Sequence, residues 1–147
     1  MKFSRAHSFV VTAGTAFHPT LLYGSMKFLQ AISLALLAAL FITTGALHFL
    51  HAQFFASIVP PWLPAHQFLV AISGVAEIAG GAGLIVPRTR RYAGIGLIVL
   101  LVAVFPANVQ MALHPQMYAA TASPGALLWR LPLQAVAVAW VWFAALR

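Results

Sequence analysis

Residues 67–86 read QFLVAISGVAEIAGGAGLIV, twenty residues that carry a single charge, Glu77, before Pro87 interrupts them. At about 1.5 Å of rise per residue, a helix of this length spans about 30 Å, the thickness of a bilayer's hydrocarbon core. Glu77 is the sole acidic residue among 147. A chain so depleted of acid that keeps one in an apolar helix raises the question of what that carboxyl faces.

Composition says that this segment is typical of its surroundings. Hydrophobic residues make up 63% of the chain and charged residues 6%, whereas a soluble domain is about half apolar and about a quarter charged. Such a chain has too little polar surface to cover its core in water. Lipid is therefore the expected solvent for most of its exterior. Three further runs are long enough to cross: residues 28–49, 92–113 and 126–146. Each reads as helix, because backbone polar groups in lipid must be satisfied within their own segment. The short alternating strands of a membrane barrel are absent from the sequence. The expectation is an all-α integral membrane protein, an antiparallel four-helix bundle over residues 26–147.

The net charge of +7 reads as a topology signal rather than as a nucleic-acid footprint, since the basic residues form neither a patch nor a stacking platform. Lys2, Arg5 and Lys27 precede the first span, Arg88, Arg90 and Arg91 join spans two and three, and Arg147 ends the sequence. Only Arg130 falls toward the other side. The positive-inside bias then puts both termini in the cytoplasm. Residues 1–25 carry only a weak apolar run, FVVTAGTAF, and read as a disordered or interfacial tail or as sequence upstream of a natural start at Met26. With no cysteine, disulfides, thiolate metal sites and a dithiol relay within this chain are excluded.

Intramembrane ionisable groups cost about 2.5 kcal/mol or more and usually face a protein interior. Glu77 lies about 15 Å below Gln67, near mid-bilayer, on a face shared with Ser73, Gly74, Gly80 and Gly81. The candidates to meet it are Thr44, His48 and His51 on the first helix, Asn108 and Gln110 beyond Pro106 on the third, and Arg130 and Gln134 on the fourth. Pro106 frees a backbone carbonyl that a neighbouring side chain or water must satisfy. Together these residues predict a polar cavity open to the outside and floored by Glu77. His48, Glu77, Asn108, Arg130 and Gln134 are the ligand-binding or proton-transfer candidates. Two structural roles for Glu77 stand beside this: a neutral acid bonded to a backbone carbonyl, or an ion pair with Arg130. The loop HAQFFASIVPPWLPAHQ, residues 51–67, reads as a short amphipathic surface segment ended by prolines, with Pro61 and Trp62 as lid candidates or simple anchors. No metal site is expected: only His48 and His51 have ligand-like spacing, with no acid or thiolate nearby.

The motifs TGALHF, IVPPWLP, SGVAEIAGGAGLIVPRTRRYAG and FPANVQM, in this order over residues 26–146, resemble the DoxX-like family of small bacterial membrane proteins. That resemblance implies a multi-pass protein of the bacterial inner membrane. It also implies association with a quinone-linked redox complex, the family being named after a subunit of a thiosulfate:quinone oxidoreductase. No cofactor is evident in the chain itself, so electrons would come from a partner subunit, with a quinone as the ligand. Membrane lipids and a second copy of the chain are the other partners expected, and nucleic acid is not. A small transporter with Glu77 as gate, and a non-catalytic scaffold, are the alternative functions.

Overall fold

The computed structural model describes residues 19–120 and 122–147, with side chains from residue 26 onward. The tail expected over residues 1–25 lies outside the described residues as far as residue 18, and from Pro19 the backbone is helical. Helix α1 (Pro19–Leu50) is followed by a short α2 (Ala52–Ser57), then α3 (His66–Ile85), α4 (Arg90–Leu113) and α5 (Pro124–Val141). Four segments are long and apolar enough to cross a membrane: Met26–Leu50, His66–Ile85, Arg90–Leu113 and Pro124–Leu146. They coincide with the four expected spans to within two residues at each end.

Local chemistry explains where the helices stop. Pro60, Pro61 and Pro64 cannot continue a helix after α2, and Ala65, with φ of 55°, is the only non-glycine residue at positive φ among the described residues. At the end of α3, orphan carbonyls are met by side chains: Thr89 Oγ1 donates to Gly83 O at 3.0 Å and Arg90 Nε to Leu84 O at 3.1 Å, which lets a four-residue connection turn the chain. Ser123 caps α5 by accepting from the Ala126 amide at 3.4 Å, with Pro124 in the first helical position where its missing N–H costs nothing. The last turn, Trp142–Leu146, widens to π-helical geometry, and Gln30 Nε2 on α1 donates to its Ala144 carbonyl at 3.0 Å.

Neighbouring long helices run antiparallel. Gly45 of α1 meets Gly74 of α3 while Ala38 and Ile42 meet Gly81; Gly83 of α3 meets Ala93 of α4; Gly94 of α4 meets Ala145 in the π turn. Leu34, Leu37 and Phe41, together with Leu84, Leu97, Val141 and Ala144, form one buried cluster drawn from all four spanning segments. This cluster lies at the end that carries Arg88, Arg90, Arg91 and Arg147. A smaller one, Met111, Tyr118 and Leu127, closes α4 against α5 at the opposite end. Large apolar side chains such as Leu36, Val75, Val99, Val102, Leu133 and Val136 are exposed around the perimeter, as suits a surface solvated by acyl chains.

Candidate functional site

The site begins with a backbone approach that only small residues permit. A methyl group on Gly45 would come within 2.7 Å of the Gly74 carbonyl oxygen, and one on Gly74 within 2.9 Å of the Gly45 carbonyl and of His48 Cβ. With α1 and α3 this close, the side chains that flank the seam are brought together. Thr44 Oγ1 donates to Glu77 Oε2 at 2.6 Å, while also lying 3.0 Å from the Leu40 carbonyl and 3.2 Å from that of Phe41. His48 Nδ1 stands 2.9 Å from the Thr44 carbonyl and 3.8 Å from Glu77 Oε2. A carbonyl only accepts, so in the neutral ring the proton sits on Nδ1 and Nε2 is left as an acceptor. The imidazole is held flat against Phe55 of α2, with ring centroids 4.0 Å apart and planes 20° apart. The His48 and Glu77 side chains are 12% and 15% exposed.

His48 and Glu77 border a cavity of about 590 Å³ in the half of the molecule away from the arginine cluster. Three walls define it. The first is α3, through Leu69, Val70, Ile72, Ser73 and Glu77; the second is α4, through Leu100, Ala103, Val104, Pro106, Ala107, Asn108 and Met111. The third is the segment after α1, through Phe55, Ile58, Val59, Pro60, Trp62 and Leu63, with His48 beside it. Among the described residues α5 contributes none. The lining is predominantly apolar, unlike the polar recess expected from the sequence. Its polar groups are few: His48, Ser73, Glu77 and Asn108, together with the Trp62 indole.

A second polar cluster anchors the α4 wall. Gln134 of α5, 8% exposed, donates through Nε2 to the Leu101 carbonyl. That carbonyl precedes Val102, whose usual helical donor is missing at Pro106. Because Leu101 O only accepts, the Gln134 amide nitrogen must face it and Oε1 must face α4, where Asn108 Nδ2 donates to it at 2.7 Å. A glutamine from the next helix thus braces the proline-disturbed turn at Leu101, one residue before the carbonyl that Pro106 frees.

Of the expected site residues, His48, Glu77 and Asn108 share the cavity wall, and Gln134 stands directly behind Asn108. Arg130 is not among them. Its Nη1 lies 3.7 Å from Met111 Sδ, and no ion pair with Glu77 exists among the described residues. The four-residue spacing of Arg130 and Gln134 does put them on one side of α5, but Arg130 turns to Met111 on α4 rather than to the acid. Trp62 lines the cavity, whereas the adjacent Pro61 is exposed and does not. No group of three His, Cys, Asp or Glu side chains able to hold a metal ion occurs among the described residues. Leu100, Ala103, Val104 and Met111 escaped the sequence reading, because nothing separates a cavity-lining apolar residue from a lipid-facing one in a uniformly apolar helix.

No curated protein and no solved structure matches the chain. Residues 37–145, which hold the glycine seam, the acid and all three cavity walls, match the family model described as Domain of unknown function (DUF8561); the chain belongs to that family.

Proposed function

We propose that this protein is a subunit of a quinone-linked redox system in the bacterial inner membrane. Its four helices cross as an antiparallel bundle with both termini in the cytoplasm, and its outer-half cavity binds a small lipophilic molecule. One observation carries the reading: a carboxyl and an imidazole, Glu77 and His48, meet on the wall of a predominantly apolar cavity, with the Thr44 hydroxyl bonded to the carboxyl from behind. An apolar chamber with a few convergent polar groups is the usual form of a small-molecule site. The distribution of Lys27, Arg88, Arg90, Arg91 and Arg147 at one end supports the orientation, and the motif order that resembles the DoxX-like family supports the redox setting. Electrons come from a partner subunit. Glu77 is suited to exchange a proton with a bound carbonyl or hydroxyl oxygen, as the Thr44 hydroxyl can accept from it as well as donate to it.

Mass spectrometry of the gently extracted complex tests this reading, because it reports bound small molecules and partner chains together. The expected result is a lipophilic molecule retained by the native protein and lost from Glu77→Gln, with thermal unfolding in detergent unchanged. An empty native cavity, or a Glu77→Gln protein that unfolds while no molecule is ever seen, would support a scaffold instead. Flux into liposomes that contain this chain alone would support transport.

A further inference from the structure

The cavity's free hydrogen-bonding atoms are mostly acceptors, for a reason built into the backbone. His48 commits its Nδ1 proton to the Thr44 carbonyl, which leaves Nε2 as a lone pair in the neutral ring. Asn108 commits one amide hydrogen to Gln134, whose orientation the Leu101 carbonyl fixes in turn; its Oδ1 is unused among the described residues. Glu77 accepts at Oε2 from Thr44, and its Oε1 takes no partner among the described residues. The Ser73 hydroxyl, one helical turn before Glu77, is also without a partner there and can act either way, and Asn108 keeps a second amide hydrogen. With Glu77 as the carboxylate, three acceptors on two opposing walls, α1/α3 and α4, face the same space as two committed donors, the second Asn108 amide hydrogen and the Trp62 indole N–H.

That space has an opening on its lipid side. At the outer end the segment after α2 covers it with half-buried Ile58 and Val59 and fully buried Pro60, leaving Trp62 as the exposed lining residue there. The lining residues that are exposed in the spanning helices are Ile72 on α3 and Ala103 and Pro106 on α4. Ile72 is 52% exposed and lies about 9 Å inside the start of α3, and Ala103 about 15 Å inside the end of α4. At those depths the exposed surface faces acyl chains rather than water.

We infer that the ligand is a membrane-dissolved lipophile with a hydroxyl-bearing head, which reaches Glu77 from the lipid between α3 and α4 and donates hydrogen bonds to acceptors on both walls. This rests on the reading that the cavity binds a lipophile, and it specifies the reduced, hydroxylated form of a redox pair as the species held. A head that only accepts would leave buried acceptors unpaired, which is the costly case.

The test is equilibrium binding to the protein in lipid nanodiscs, under anaerobic conditions, of three probes with the same alkyl tail: a hydroquinone, its dimethyl ether and the corresponding quinone. The hydroquinone is expected to bind at least about tenfold more tightly than either of the others. A quinone or ether that binds as well or better overturns this inference while leaving a lipophile-binding cavity in place; a protein that binds none of the three overturns the cavity reading itself. For the route, Ala103→Trp is expected to slow hydroquinone association by about tenfold, with Ile72→Trp as the second variant should the first lower thermal stability. Association unchanged in both stably folded variants would place the approach at the outer loop and overturn the lateral route.

Discussion

The two faces of α3 differ sharply in what they allow. Toward α1, Gly74 and Gly81 leave no space at all: an added methyl at either would meet backbone and side-chain atoms at 2.9 to 3.0 Å. Toward the C-terminal half of α4, the same helix presents Leu69, Ser73 and Glu77 to a cavity of about 590 Å³. A closed face and an open face on one twenty-residue helix have a common logic. In lipid, helices gain little from burying apolar surface, so close backbone packing must hold them. The glycine seam supplies that contact, and a rigid seam lets the opposite face remain unfilled without collapse. Glu77 sits on the boundary, anchored by the closed face and available to the open one.

Filling the closed face should have the largest effect. Gly45→Val is expected to cost about 3 kcal/mol or more, since its Cβ alone would meet the Gly74 carbonyl at 2.7 Å and Ile78 Cγ1 at 2.8 Å; the loss would appear in denaturant or thermal unfolding in detergent. Retained stability would mean that the seam is looser than its geometry. Removing the support of the open face should be milder. Gln134→Leu leaves Asn108 without its acceptor and the Leu101 carbonyl without its donor, a loss of about 1–2 kcal/mol by the same measurement. Hydroquinone affinity should fall with it, as Asn108 is freed to rotate. The smallest effect is expected on α4 at Gly96, where nothing lies within 4 Å of an added Cβ: Gly96→Ala should change stability by no more than about 0.5 kcal/mol. That comparison separates glycines that pack from glycines that do not.

Much of this was legible in the residues. Continuous apolar runs closed by Pro87 and by His114-Pro115 marked the spans. The small residues around Glu77 marked its inward face, and the spacing of Thr44 and His48 marked a single face on α1 that could meet it. Pro106 announced a disturbed turn with the Val102 carbonyl short of a donor, although not that Gln134 would bond to the neighbouring Leu101 carbonyl. The fate of Arg130 was hidden because a shift of a few ångströms along α5 decides whether its guanidinium meets a carboxyl or a thioether. The break at His51, the left-handed Ala65 and the π turn at Trp142–Leu146 likewise leave no pattern in hydrophobicity, being responses to how the connected helices must pack.

From its residues alone the chain commits to helices that suit lipid and to a single acid turned away from that lipid, because transfer energies of apolar and charged groups depend on composition and spacing along one helix. Only the packed structure decides that the acid rests on Thr44 and His48 rather than on Arg130, and that space is left between α3 and α4 but not between α1 and α3. Those outcomes depend on the rotation and separation of neighbouring helices, set by which backbones can touch, and no segment read in isolation contains that distance.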